Sequence, residues 1–480
     1  MPVIRQRRSG RPAGGRSGSP RLRIVGIGVI LVLLVGIPVW ASTPAAAGSS
    51  SSRAGTLVVL NHTFALSPQF FGVNVHVVGV KNQSLAALVN DTPFISFRFS
   101  PMGEATDQVR SLTYSQNGVP SSVYAETDAQ FVTWCRWVSC RPTMMVPAEI
   151  NNPREAAATV RYVEQTLGFH PSFWAIGNEP QQWTHFGIPW AQWRTTDQST
   201  PTPAQYALEV RSYITAMRAV DPKIRIIGIE SVVGGTLSGS WLKDVVEVDG
   251  PNLAAVAYHA YPLGSGSGPA SLKAFYSGLT NPSAFPLNYP ATNAIIRAAC
   301  PACHISVFVD EFNAGLGGSF STYLTHYAEV PFVASALITA MREDVRRVMF
   351  FNLEDLDGQQ PYGLTTVGQG SRPSYLLYSD ILIMMASGSV VRTTMLGGPV
   401  GVYEVLTKNA TSTSLFVVNT NLALSLSLTL PKTGNGFASP LTEYGWTFPD
   451  HQPSTPVRVA SPAGIAWSVP PQSLLLLVWD

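Results

Sequence analysis

Short apolar runs alternate with longer amphipathic segments between residues 70 and 387. Each run is rich in β-branched and aromatic residues and ends in polar residues or glycine, as buried parallel strands do. The segments between them have helical spacing of apolar positions, for example 154–167 and 203–219. Eight runs are predicted to be strands, at 71–75, 94–99, 141–146, 173–177, 224–229, 254–259, 305–309 and 348–353.

Eight strands separated by helices predict an α/β fold, a (β/α)8 TIM barrel, over residues 67–387. A doubly wound open sheet is the alternative. No G-x-G-x-x-G motif follows a predicted strand, so a dinucleotide site is not indicated.

The pattern changes to short strand-like runs after a predicted helix near 374–385. Gly, Pro, Asn and Ser separate these runs, which predicts an appended all-β sandwich domain over 388–480. An earlier run at 56–66, predicted to be an edge strand, is expected to join this domain, and 49–54 is expected to be a flexible linker. The clearest strands of the domain are predicted at 402–407, 414–419, 424–430 and 474–478.

The first 48 residues have the three-part layout of an export signal. Seven arginines lie among the first 23 residues, an apolar run follows at 24–40, and small residues with an A-x-A pattern cover 41–48. The segment is expected to be a cleaved signal peptide or a signal anchor, with a membrane tether through residues 24–40 as the second possibility. Either one places the rest of the chain outside the cell or on the outer face of the cytoplasmic membrane.

Charge and cysteine content agree with an exported globular protein. With those seven arginines set aside, 24 Lys and Arg remain against 29 Asp and Glu, so nucleic acid is not an expected partner. The cysteines form two close pairs, Cys135/Cys140 and Cys300/Cys303, and disulfides are the expected state outside the cytoplasm. A thiol-redox motif at Cys300-Pro-Ala-Cys303 and a four-cysteine zinc site are the alternatives.

Carboxylates follow two of the predicted strands. Glu179 comes after the fourth strand in Gly177-Asn178-Glu179, and Asp310-Glu311 comes after the seventh. The carboxyl ends of barrel strands form the site face of this fold. Successive strand residues face opposite ways, so only one of the two acids after the seventh strand is expected to point into the site, and we choose Glu311. A cap on the next segment and a solvated strand end are the non-catalytic alternatives.

The two Glu motifs resemble clan A glycoside hydrolases, and three further segments resemble glycoside hydrolase family 79, the β-glucuronidase and heparanase family. These segments are Phe97-Arg98-Phe99, His259-Ala260-Tyr261 and the loop from Glu311 to Gly317-Gly318. The resemblance covers residues 56–480. It implies retaining hydrolysis with Glu179 as acid/base and Glu311 as nucleophile, on a carbohydrate or glycoside substrate and with no metal or organic cofactor.

The resemblance also implies roles for the neighbouring residues. Arg98 would keep Glu311 ionised, Tyr261 would donate a hydrogen bond to Glu311, and His259 would line the sugar pocket. A buried structural ion pair and ordinary core packing are the alternatives for these three residues. Asn178 has a side chain able to hydrogen-bond a sugar hydroxyl.

Substrate specificity is expected to depend on the loop after Glu311. Gly317 and Gly318 would offer backbone N–H groups to the carboxylate of a uronate, which predicts an exo-acting β-glucuronidase. A plain turn is the alternative for this glycine pair. Leu316, however, stands where the family has Tyr, which leaves a neutral sugar such as xylose, glucose or arabinose as the alternative. A catalytically silent carbohydrate-binding surface protein is the alternative from another functional class.

Overall fold

The computed structural model describes residues 51–75, 83–99, 122–148, 151–182, 201–232, 235–264, 269, 271–280, 288–315, 323, 327–355, 362–366, 370–430, 441–447, 457–459 and 466–479. The predicted export signal lies outside these residues. Among the helices of the described ranges, none is both long and apolar enough to cross a bilayer.

Eight parallel strands close into a barrel in chain order, and the last strand pairs with the first. Strand β1 (Ser52–Ala65) precedes the barrel and belongs to a second sheet. The barrel strands are β2 (Phe71–Val75), β3 (Ser96–Phe99), β4 (Arg141–Val146), β5 (Phe173–Ile176), β6 (Ile226–Val232), β7 (Ala255–Ala260), β8 (Ser306–Phe312) and β9 (Val348–Phe350). The (β/α)8 prediction is confirmed, and the open doubly wound sheet is wrong because β9 pairs with β2.

Helices connect the barrel strands: α1 (Gln83–Asn90), α2 (Ser122–Trp137), α3 (Pro153–Arg161), α4 (Pro203–Arg218), α5 (Gly235–Asp249), α6 (Leu272–Ser277), α7 (Asn288–Ala299) and α8 (Glu329–Arg342). The start of α4 shows how local sequence defines an element. Thr202 accepts a hydrogen bond from the Gln205 N–H, and the Gln205 side chain accepts one from the Thr202 N–H. This capping box and the proline at the first helical position agree with the predicted helix.

The predicted helix near 374–385 is not a regular α-helix. It consists of a short helix α9 (Pro373–Leu376), a π-helical turn (Leu377–Ile381) and a 3-10 turn (Leu382–Met385). Most apolar side chains of the three pieces are buried, although Ile383 is exposed.

The second domain is a nine-stranded sheet, preceded in the chain by the small hairpin β10 (Thr365–Thr366) and β11 (Gly370–Ser371). Its later strands are β12 (Ser389–Gly397), β13 (Val402–Lys408), β14 (Thr413–Asn419), β15 (Ser425–Thr429), β16 (Leu441–Thr447), β17 (Val457–Val459), β18 (Ala466–Val469) and β19 (Ser473–Trp479). Trp467 of β18 and Leu477 of β19 share one apolar cluster although β18 lies at the far edge of the sheet, so the sheet folds over on itself. The predicted β-rich domain is confirmed.

Strand β1 lies inside this sheet, with β12 on one side and β15 on the other. The prediction of an edge strand is therefore wrong. The prediction of a linker at 49–54 is wrong for residues 52–54, because Ser52 to Ala54 pair in parallel with Ser425 to Ser427. Ladder hydrogen bonds use backbone groups, so a serine-rich segment takes part in them despite its linker-like composition.

Both cysteine pairs form disulfides, as predicted, with Cα–Cα distances of 5.0 Å for Cys135–Cys140 and 5.4 Å for Cys300–Cys303. The four-cysteine zinc alternative is wrong because every sulfur is already bonded. The second bridge follows the C-terminus of α7, where the helix dipole disfavours a thiolate, which agrees with a structural bond.

Candidate active site

The carboxyl ends of the barrel strands bring together six of the side chains singled out from the sequence. These are Arg98 from β3, Asn178 and Glu179 after β5, His259 at the end of β7, Tyr261 immediately after it, and Glu311 in β8. They contact one another directly over the barrel axis, as the hydrogen bonds described below show.

Strand alternation explains why His259 on β7 faces the site. Ala255 and Ala257 belong to the apolar cluster inside the barrel, whereas Val256 and Tyr258 pack in the layer between strands and helices. Side chains two positions apart share a face of a strand, so His259 continues the inner face. Small alanines at the bottom of the barrel therefore lead to reactive side chains at the top.

A bulge in β8 separates the side chains of Asp310 and Glu311. The pairing of β7 with β8 shifts register after Tyr258, so that His259 lies opposite Glu311. Asp310 is buried inside the barrel on Arg347, and Glu311 reaches the site. The choice of Glu311 agrees with this arrangement, but the simple alternation behind that choice does not hold across the bulge.

Glu179 is turned toward the barrel axis by an unusual backbone conformation. Its φ is +41° and that of Gly177 is +70°, in the left-handed region that non-glycine residues rarely adopt. The Glu179 N–H donates a hydrogen bond of 3.0 Å to the carbonyl of Glu230 on β6, which holds this turn. Strain of this kind is common where a side chain must be aimed at a site.

The Glu179 and Glu311 carboxylates lie close together. Each offers an oxygen within 4.8 Å of the other's. Retaining glycosidases hold their two carboxyl groups about 5–5.5 Å apart, and inverting ones about 6.5–9.5 Å apart to admit a water molecule. An approach this close is compatible with the retaining arrangement.

His259 lies between the two carboxylates. Its Nδ1 is 2.7 Å from Glu179 Oε1 and 3.3 Å from Glu311 Oε2. Burial works to lower the pKa of this imidazole, but the charge of Glu311 and the hydrogen bond and charge of Glu179 outweigh it and raise the pKa. The site therefore favours a proton at Nδ1, between the two acids.

Two donors hold Glu311. Arg98 Nη1 donates to Oε1 at 2.8 Å, and the Tyr261 hydroxyl donates to Oε2 at 2.7 Å. Hydrogen bonds to an ionised acceptor are stronger than neutral ones and favour the charged form. Glu311 is thus fixed in position and stabilised as a carboxylate, while Glu179 is held by an imidazole.

Two residues that the sequence analysis did not select complete the surroundings of Arg98. Glu230, fully buried on β6, accepts from Arg98 Nε and Nη2 at 3.0 and 2.7 Å. Asn74 accepts from Arg98 Nη1 at 2.8 Å. Glu230 directly follows a predicted strand, so the strand-end rule that identified Glu179 would also have found it.

A second buried ion pair lies beneath the site. Arg347 Nη2 donates to both carboxylate oxygens of Asp310, at 2.8 and 3.0 Å, and Arg347 Nη1 donates to the Thr143 hydroxyl at 2.7 Å. The Asn74 amide donates to the Asp310 carbonyl at 2.8 Å. These contacts link Arg98 through Asn74 to a rigid ionic layer inside the barrel.

The glycine pair proposed to bind a uronate, Gly317 and Gly318, lies outside the described residues, as does Leu316. Its role stays a prediction.

Two groups of donor atoms in the described ranges are close enough to hold a metal ion: Glu179, His259 and Glu311 at the site, and Glu164, His170 and Asp221 at the opposite end of the barrel. In the first group, the Arg98 guanidinium 2.8 Å from Glu311 disfavours a second cation. In the second, Glu164 already accepts a hydrogen bond from the Trp174 indole at 3.0 Å. We assign a metal to neither.

Comparison with known proteins gives matches of structure only, since no protein-family model and no curated protein matches the chain. A GH51 arabinofuranosidase from Xanthomonas axonopodis pv. citri matches with a TM-score of 0.65 at 13% identity, over 89% of this chain and 100% of that one. A family 51 α-L-arabinofuranosidase from Bifidobacterium longum matches with a TM-score of 0.65 at 14% identity, over 90% and 100%. A GH30 endoxylanase from Clostridium papyrosolvens C71 matches with a TM-score of 0.54 at 12% identity, over 90% and 100%.

These three structures are clan A glycoside hydrolases. At such low identity the likeness shows the fold alone. The chain therefore shares their fold, a (β/α)8 barrel with an appended domain that consists mostly of β-sheet.

Proposed function

We propose that the protein is a retaining glycoside hydrolase in which Glu311 is the nucleophile and Glu179 the acid/base. One observation carries the proposal. Two carboxylates from β8 and the end of β5 lie within 4.8 Å of each other and have different partners. Arg98 and Tyr261 stabilise the charge of Glu311, whereas Glu179 is held by His259, which lies 2.7 Å from Glu179 and 3.3 Å from Glu311.

The reaction follows from this difference. Ionised Glu311 attacks the anomeric carbon while protonated Glu179 gives its proton to the glycosidic oxygen, so that the C–O bond breaks and an ester to Glu311 forms. Glu179, now a carboxylate, takes a proton from water, whose oxygen attacks the anomeric carbon and releases Glu311. Two inversions give net retention.

The neighbouring groups support each step. Arg98 and Tyr261 orient the Glu311 carboxylate and receive it again when the ester is hydrolysed. His259 Nδ1 is within hydrogen-bonding distance of Glu179 and near Glu311. The negative charge next to His259 therefore decreases when Glu311 becomes an ester. A carbohydrate-binding protein would need neither a paired nucleophile nor an acid.

We propose a neutral sugar as the substrate. The structurally similar proteins are described as arabinofuranosidases, an endoxylanase and a bifunctional glucanase-xylanase, and Leu316 replaces the tyrosine expected of family 79. β-Glucuronate is the second candidate, supported by the Gly317-Gly318 pair in the sequence. The two disulfides agree with action outside the cytoplasm.

A panel of aryl glycosides, including α-L-arabinofuranoside, β-xyloside, β-glucoside and β-glucuronide, tests the proposal with the purified protein. Release from one glycoside is expected, with retained configuration at the anomeric carbon by NMR. Glu311→Ala and Glu179→Ala should each reduce turnover severely, and azide should rescue Glu311→Ala as a glycosyl azide.

Glu404→Gln is the matched control. Glu404, on β13 of the second domain, is a buried carboxylate that pairs with Arg342. It should leave turnover unchanged. Normal turnover by the Glu311 or Glu179 variant would refute the assignment. Silence across the panel together with calorimetric binding of a sugar would indicate a binding protein instead.

A further inference from the structure

Glu230 is a buried carboxylate to which the proposed reaction gives no task. Its side chain is 0% exposed. Oε2 accepts two hydrogen bonds from Arg98, whereas Oε1 has no hydrogen-bond partner in the described part of the chain. An isolated charge in such a place is costly, so its partner and its position are informative.

All five N–H groups of the Arg98 guanidinium have acceptors around the site. Nε and one N–H of Nη2 go to Glu230, and the other N–H of Nη2 goes to Asn178 Oδ1 at 2.5 Å. The two N–H groups of Nη1 go to Asn74 and to Glu311. A guanidinium is planar, so the two hydrogen bonds that one of its edges donates to Glu230 fix the direction of the N–H that reaches Glu311.

We propose that Glu230 is a positioning residue that holds the Arg98 guanidinium in place against Glu311. Its carboxylate also offsets the positive charge of Arg98, so that the protonated, active form of the site persists to higher pH. This inference rests on the proposed hydrolase function and goes beyond it in naming a residue that does not touch substrate.

The charges around Glu230 make this offset depend on pH. Burial raises the pKa of Glu230 to about 7, the charges of Arg98 and His259 oppose the rise, and that of Asp310 adds to it. Glu311 in turn contacts Arg98, His259 and Tyr261 and lies beside Glu179. Above neutral pH, Glu230 becomes negative, and this charge favours retention of the proton on His259.

Glu230→Gln tests the charge. The amide keeps the shape and one acceptor oxygen but stays neutral at all pH values. The alkaline limb of the kcat/KM profile is expected to move to lower pH by about one unit, while the acid limb and the rate below pH 6 stay within about threefold of wild type. A purely structural role would lower the rate equally at every pH and leave the limb in place.

Glu230→Asp tests the position. It retains the charge but withdraws the carboxylate by one methylene, so kcat is expected to fall at least tenfold across the profile without a shift of the alkaline limb. Glu404→Gln, which neutralises a buried carboxylate outside the barrel, should leave both limbs unchanged. A wild-type profile in Glu230→Gln, or wild-type turnover in Glu230→Asp, would overturn the inference.

A measurement without substrate separates this inference from the hydrolase proposal. In protein labelled with ¹³C at the glutamate carboxyl groups, the resonance missing from Glu230→Gln should titrate with a midpoint near neutral pH. A resonance that is invariant between pH 5 and 9 would overturn the inference even if a glycoside is hydrolysed. Inactivity on every glycoside would count against the hydrolase proposal alone.

Discussion

Arg98→Met removes the one positive charge that contacts both Glu230 and Glu311 in the described structure. Methionine fits the space of the arginine stem but provides no N–H donor, so two buried carboxylates lose their shared cation. Breaking a buried ion pair by removing one partner costs about 3–5 kcal/mol. We therefore expect the free energy of unfolding at pH 8 to fall by about that amount.

The loss should depend on pH with a defined sign. The pKa of Glu230 in the folded protein, about 7, already lies above its ordinary value of 4.5, and Arg98 is one of the charges that limit this rise. Without Arg98 the folded-state pKa rises further. A carboxyl group with a raised folded-state pKa destabilises the protein increasingly as pH rises above the unfolded value. The stability difference from wild type should consequently be smaller at pH 5 than at pH 8.

Urea unfolding at pH 5 and pH 8, followed by tryptophan fluorescence, measures this difference. Arg346→Met is the control, because Arg346 pairs with Asp344 on the surface and should cost less than about 1 kcal/mol. The reasoning would be refuted by a loss in Arg98→Met below 1 kcal/mol at pH 8. It would also be refuted by equal losses at the two pH values.

Three further predictions concern single contacts. Tyr261→Phe removes the 2.7 Å hydrogen bond to Glu311 and should lower kcat/KM about 10- to 100-fold without loss of thermal stability, measured with the active aryl glycoside. In His259→Gln, the loss of unfolding free energy relative to wild type, measured by urea unfolding, should be larger at pH 6 than at pH 9. The folded protein raises the pKa of His259, so protonation of this residue stabilises the fold at pH values below its unfolded-state pKa. This contribution is lost as the pH rises through the folded-state pKa. Replacing Cys300 and Cys303 by Ser should lower Tm but leave kcat/KM unchanged, since the bridge precedes β8 at the end of the barrel away from the site.

The barrel was predictable because each of its strands carries its own signal. A parallel strand buried on both faces is a short apolar run, and its polar end marks the site face, so Glu179 and Glu311 follow from local sequence. The contacts of Arg98 and Tyr261 with Glu311 agree with the roles that the family resemblance implies.

What the sequence did not reveal depends on contacts between distant segments. The bulge in β8 is a matter of pairing with β7 and leaves no local mark at Asp310. Glu230 follows a predicted strand as Glu179 does, and only the fold shows that it shares the guanidinium of Arg98 with Glu311. The sequence of β1 is that of an edge strand with a linker before it, because nothing in its composition indicates that β12 and β15 flank it.

The placement of β1 also has a consequence for the order in which the chain folds. Its partner β12 begins about 320 residues after β1 ends, yet the Leu66 N–H donates to the Gly388 carbonyl at 2.9 Å, so the completed barrel brings the two strands together. During synthesis or export, β1 therefore emerges long before β12 and stays without this partner until β12 has followed. A chain that stops before β12 would present both open edges of β1 to other molecules, which links synthesis of the second domain to resistance against aggregation.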